Sequence, residues 1–201
     1  MQQKRKQPKE KITWETGSRE TDYLKSAYTA FLAQLPGVNK EHIAETPTRI
    51  VRQLCELTNG YTADPVAILK TRFSSGNYNQ MISVGPVPFA SLCSHHVLPF
   101  TGFYYFAYIP NKKIVGLSKI PRMFEVFSHR LQVQEDLSEQ VVDCFQRIVK
   151  PKGCAVLVEA QHMCMSLRGV KKSGFMRTTA LRGIFLTDES AKAEFLASVR
   201  K

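Results

Sequence analysis

Apolar residues recur at helical spacing from Arg19 to Leu35, at Leu24, Ala27, Tyr28, Phe31, Leu32 and Leu35, and Pro36-Gly37 ends that helix. Thr46-Pro47 reads as a second helix start, with Thr46 as N-cap and Pro47 at N1. The stripe Ile50, Val51, Leu54, Cys55, Leu57 follows, stopped by Asn59-Gly60. Asp64-Pro65 opens a shorter helix to about Lys70, and residues 74–77 form a loop. Beyond it the pattern changes. Met81 to Leu92 reads as a strand broken at Gly85-Pro86, and the aromatic run Phe100 to Ile109 as a long strand. Residues 110–113 predict a hairpin turn, with Ile114 to Leu117 returning.

Two helices come next. One runs from Ser118 to about Arg130. The other runs from Asp136, where Asp136 and Glu139 have capping-box spacing, to Lys150. Cys154 to Met165 and Met176 to Phe185 read as strands, and residues 188–199 as a last helix. Helices, then strands interleaved with paired helices, predict an α+β domain: an antiparallel sheet with its helices on one face. Residues 1–18 lack periodicity and read as a flexible basic arm. Residues 19–201 read as one domain, helical over 19–70 with a core over 79–201.

Composition narrows the class. The chain is 43% hydrophobic and 22% charged, ordinary for a globular protein and unlike a disordered or collagen-like one. No apolar run spans a bilayer, and no apolar stretch follows the basic N-terminus, so a cytoplasmic location with no membrane partner is expected. An odd set of five cysteines without a secretory signal predicts reduced thiols, some buried and some free to bind metal. The net charge of +11 favours a polyanionic partner: nucleic acid, an acidic membrane or a phosphorylated small molecule.

Candidate chemistry concentrates in two segments. Cys93-Ser94-His95-His96 sets a thiol and imidazoles across a tight turn. In His162-Met163-Cys164, the two donors share a face if the segment is a strand. Two thiolates and at least one imidazole suit Zn²⁺, and the residue types alone leave open which histidines bind. The signature of the cytidine deaminases is absent, as is a P-loop. Ser118, Lys119 and Arg122 sit at a predicted helix start, a good place for phosphate, with Arg168 just past Cys164 and Arg49 on another helix. Glu135 has two readings: a carboxylate accepting paired N–H bonds from a purine edge, or a complement to the next helix dipole.

Residues 92–100 (LCSHHVLPF), Gly116-Leu117-Ser118-Lys119, residues 130–135 (RLQVQE), residues 162–165 (HMCM) and Arg168-Gly169-Val170, in that order and spacing, resemble the GTP cyclohydrolase I family over roughly residues 20–200. The resemblance implies the tunnelling fold, whose subunits pool their sheets into a barrel, typically a toroidal homodecamer of two pentamers. It implies conversion of GTP and water to formate and 7,8-dihydroneopterin triphosphate. Cys93, His96 and Cys164 match zinc ligands, and His95 and His162 the acid/base histidines. Glu135 matches the guanine-reading carboxylate with Gln134 beside it. Lys119, Arg122 and Arg168 match triphosphate contacts, Arg49 a contact to a neighbouring subunit's site, and Ser118 a residue near the ribose. The family usually has Glu where this chain has Ser94. A related pterin or purine enzyme of the same fold lacks such a zinc set. A basic zinc-stabilised nucleic-acid module has no need of spare histidines beside a Glu.

Overall fold

The computed structural model describes residues 18–199; the basic arm expected over residues 1–18 lies outside them apart from Ser18. Ser18 caps α1 (Arg19–Ala33), its hydroxyl accepting from the Thr21 backbone N–H while Glu20 and Asp22 complement the dipole. A short α2 (Lys40–Ile43) leads to α3 (Thr46–Leu57). Thr46 is not the cap of α3. Glu45 holds that position without a side-chain hydrogen bond, so Thr46 and Pro47 are the first helical residues. A 3-10 turn (Asn59–Tyr61) and α4 (Pro65–Leu69) follow, with Asp64 accepting from Val66 N–H at 2.8 Å. The remaining elements are β1 (Arg72–Ser74), β2 (Ile82–Cys93), β3 (Pro99–Ile109), β4 (Lys113–Val115), α5 (Lys119–Ser128), β5 (Leu131–Gln132), α6 (Gln134–Val149), β6 (Gly153–His162), α7 (Met163–Ser166), β7 (Phe175–Gly183), α8 (Ile184–Thr187) and α9 (Glu189–Ser198).

The main sheet has the order β5-β2-β3-β6-β7, antiparallel except for the parallel β5 at one edge. Two expectations fail here. The strand after the 110–113 turn does not return along β3, because both edges of β3 are taken by β2 and β6. Instead β4 pairs with β1 in a separate two-stranded ribbon. The capping box at Asp136 is not formed either: α6 starts two residues earlier, and Glu139 instead pairs with Arg182 of β7, which also bonds Asp143 at 2.7 Å.

Strand alternation divides the core. Phe100, Tyr104, Phe106 and Tyr108 of β3, with Cys154, Val156, Val158 and Ala160 of β6, point to α5 and α6. Tyr104 stacks on Phe124 at 3.7 Å between ring centroids, and Phe106 packs edge-on to Phe145. The helices are not confined to this face. Ala107, Ile109 and Ala155 point the other way, where Phe185 of α8 and Phe195 of α9 cover them. The rest of that second face is open, with Phe103 and Phe175 exposed.

Gly60 joins the helical N-terminal part to this core. Its N–H bonds His129 O at 3.0 Å, its carbonyl accepts from Arg130 Nε, and a Cβ there would lie 2.2 Å from Val126 O and 2.6 Å from His129 O. Neither backbone oxygen can yield, so Gly60→Ala should destabilise by at least about 1–3 kcal/mol, the range for overpacking. Thermal unfolding checks this, and an unchanged Tm would mean the turn can lift off α5 at little cost.

Candidate active site

At the end of β2 the chain makes a five-residue connection into β3. Cys93 N–H bonds Leu98 O at 2.8 Å, Val97 N–H bonds Cys93 O at 2.8 Å, and Val97 takes a left-handed φ of 54° to close the loop. Such a φ is strained for a β-branched residue. The loop is clipped to β5, where Cys93 pairs with Gln132 and Ser94 N–H bonds Gln132 O at 2.9 Å. Gln132 is itself buried, donating to Phe127 O and to Gln140 Oε1. The Ser94 side chain is exposed.

The loop brings three donors together. Cys93 Sγ lies 3.8 Å from Nδ1 of both His95 and His96, and one ligand atom from each residue lies within 4.8 Å of the others. Tetrahedral zinc with sulfur at ~2.3 Å and nitrogen at ~2.0 Å would hold such atoms ~3.5 Å apart. The donor set therefore fits the ion with little adjustment. Cys164 lies against Cys93 but outside that triplet; burial, then contact with the Cys93 thiol, pushes its own thiol up from the ordinary range. It does not sit on a strand. β6 ends at His162, and Met163–Ser166 is a helical turn, so the shared-face argument for His162 and Cys164 fails although both still reach the site. All five cysteines are free thiols.

Around the donors stand three groups. Arg168 reaches His96 Nε2 at 3.0 Å, and since a guanidinium only donates, that nitrogen accepts. His162 stacks on Phe100 at 4.6 Å, its register partner on β3, and bonds Gln134 Oε1 at 2.8 Å. Burial lowers the His162 pKa, and the nearby Glu135 carboxylate partly offsets this. Glu135 is exposed in the first turn of α6, where it also complements the helix dipole. Phe100 was not legible as a site residue, because nothing in a strand of aromatics marks the one that faces a histidine.

The other candidates lie elsewhere on the subunit. Ser118 and Lys119 are at the start of α5, whereas the Cys93 loop meets the chain just after α5 ends. A ten-residue helix, about 15 Å long, separates them. Lys119 Nζ is tied to Ile68 O at 2.8 Å. Arg122 is exposed on the rim of a 290 Å³ cleft between β2 and α5, beside Val87 and Glu125. Arg49 is exposed near the start of α3, whose other end carries the turn docked on α5.

A family profile described as GTP cyclohydrolase I matches residues 24–200. The chain belongs to the GTP cyclohydrolase I family. The GTP cyclohydrolase 1 of Chlorobaculum tepidum is 44% identical over 187 residues, covering 90% of this chain and 84% of that protein. That of Campylobacter jejuni subsp. jejuni (serotype O:23/36, strain 81-176) is 47% identical over 162 residues, covering 80% and 85%. Among solved structures, the apo form of the archaeosine synthase QueF-Like aligns with 53% of this chain and 94% of its own, at 14% identity and a TM-score of 0.38, too slight a likeness to argue from. Membership makes the chain a hydrolase with GTP cyclohydrolase activity. No helix among the described residues is long and apolar enough to cross a membrane.

Proposed function

We propose that this cytoplasmic GTP cyclohydrolase I converts GTP and water into formate and 7,8-dihydroneopterin triphosphate, using one zinc ion per subunit held by Cys93, His96 and Cys164. The observation that carries this reading is the close grouping of the Cys93, His95 and His96 donors, with Cys164 against Cys93 and an acid, a third histidine and an arginine around them. Zinc, when bound, lowers the pKa of water and so supplies a nucleophile near neutral pH.

This chain's residues do the rest. Glu135 accepts paired N–H bonds from the guanine edge and fixes C8 over the metal loop. His95 gives a proton to N7 so that C8 becomes electrophilic. His162 and Ser118 move protons as the ribose opens and rearranges. Lys119, Arg122, Arg168 and Arg49 hold the triphosphate as a handle remote from the chemistry. Ligation of His96 through Nδ1 would leave its Nε2 protonated and unable to accept from Arg168, which frees that guanidinium for a phosphate.

The division of these residues between two ends of α5 supports a homo-oligomer in which one subunit's Ser118, Lys119, Arg122 and Arg49 complete the site of another. The open, aromatic-bearing sheet face fits pooled sheets in a tunnelling-fold barrel, with a decamer as the expected assembly. Incubation with GTP, followed by oxidation and pterin fluorescence with formate measured in parallel, tests the reaction. Equal amounts of formate and pterin are expected, and zinc-loaded protein that yields neither would sink the proposal. Arg49→Ala and His162→Ala, each impaired alone, should regain part of the activity when mixed under subunit exchange. A fully active monomer would overturn the shared site.

A further inference from the structure

Gln134 is 1% exposed, and its carboxamide is fully engaged. Nε2 lies 3.2 Å from Val158 O, 3.1 Å from Met176 O and 3.2 Å from Thr178 Oγ1, while Oε1 meets His162 Nε2 at 2.8 Å. The sense of these bonds follows from chemistry alone. Backbone carbonyls of β6 and β7 can only accept, so the NH₂ group must face them and Oε1 must face the histidine. An oxygen there can only accept, so His162 Nε2 carries the hydrogen.

A neighbouring chain of hydroxyls agrees. Ser138 donates its one hydrogen to the Gln134 backbone carbonyl at 3.0 Å. Its contact with Thr178 Oγ1 at 2.7 Å must then be donated by Thr178, which leaves the threonine oxygen to accept from Gln134. The two hydrogens of the Gln134 NH₂ are shared among three acceptors, and the sense of the network is set at both ends by main-chain carbonyls. The Phe100 ring stacked on His162 at an interplanar angle of 3° holds the imidazole plane.

We propose that Gln134 is a positioning residue: its Oε1 accepts from His162 Nε2–H and holds the imidazole as the Nε2–H tautomer, leaving Nδ1 as the ring nitrogen free to meet the substrate. This rests on the acid/base reading of His162 given above. It gives Gln134 a role other than contact with guanine, since the amide has no hydrogen left to offer a purine and turning it would set its oxygen against two main-chain carbonyl oxygens.

The test begins with the zinc-loaded wild-type enzyme. The chain has five histidines, so solid-state NMR of histidine-labelled protein in mildly alkaline buffer gives few signals, and the His162 signal is the one missing from His162→Ala. The expected nitrogen and carbon shifts are those of the Nε2–H tautomer; the Nδ1–H pattern would overturn the proposal without any Gln134 variant having to fold. Gln134→Met keeps the length of the side chain but removes the amide. We expect a mixture of tautomers, retained zinc, and kcat lower by about ten- to a hundredfold, as for other residues that orient a working histidine, with KM for GTP within about twofold. A raised KM with unchanged kcat would instead make Gln134 a guanine contact and overturn the role assigned here. Thr178→Val leaves both carbonyls in place and should keep the wild-type tautomer; loss of it would show that the hydroxyls, not the carbonyls, set the sense. If His162→Ala keeps wild-type kcat, the acid/base reading falls while the spectrum still decides the tautomer.

Discussion

Cys164→Ala should emerge from purification nearly free of zinc and without measurable turnover. Structural zinc sites in small peptides bind with about 10–16 kcal/mol; on that scale, losing one of the three proposed ligands removes roughly a third, or on the order of 10²–10⁴ in affinity. The structure adds a reason for Cys164 in particular. Its thiol lies against that of Cys93, and burial together with that neighbour holds it protonated in the absence of a cation. Two thiols in contact offer a cation a pair of sulfur donors, which is what a zinc site needs and a core does not. Metal analysis by mass spectrometry checks this directly. Full zinc occupancy in Cys164→Ala would remove Cys164 from the site and leave the Cys93, His95, His96 triplet as the ligand set. Alanine at Cys164 leaves the core intact, because that side chain is only half-buried on a four-residue helix.

His95→Ser should keep its zinc, still bind GTP, and lose turnover by roughly two to four orders of magnitude, the scale for removing a general acid or base. It should release little formate, because the first ring opening is the blocked step. The geometry makes this the decisive comparison at the metal loop: both histidines stand 3.8 Å from Cys93 Sγ, and distance alone does not rank them. What separates them is Arg168, bonded to His96 and not to His95. Zinc content in His95→Ser and His96→Ser, measured side by side, ranks them. Loss of zinc in the first and retention in the second would exchange the two assignments.

Much of this fold was legible because the pattern and the burial coincide. The alternation through β3 put Tyr104, Phe106 and Tyr108 on one face, and the stripe in α3 put Val51 inside. The misreadings share one cause. A sequence shows that Ile114 favours a strand but not which edge is free to receive it, and both edges of β3 were already filled. Asp136 and Glu139 have capping spacing, yet Arg182, more than forty residues away, gives Glu139 a stronger partner. Cys164 lies against Cys93, but it gets there through a helical turn rather than strand alternation. The metal loop could be read because its donors are neighbours in sequence. The Gln134 group could not, since Ser138 is one helical turn away but Thr178 and the two carbonyls arrive from other strands.

The two-residue strand β5 is the smallest in the sheet, and it works as a ruler. The metal loop is fastened to Gln132, and only two residues lie between Gln132 and Glu135. The gap between the Cys93 loop and Glu135, the proposed reader of the base, is therefore set by one ladder rung and a few covalent bonds. One inserted residue in this stretch would slide the carboxylate by about 3.3 Å, far beyond what a hydrogen bond tolerates. On the proposed role of Glu135, length in the segment 131–135 is thus bound to substrate choice, whereas the ribbon of β1 and β4 lies at the other end of α5 from both groups.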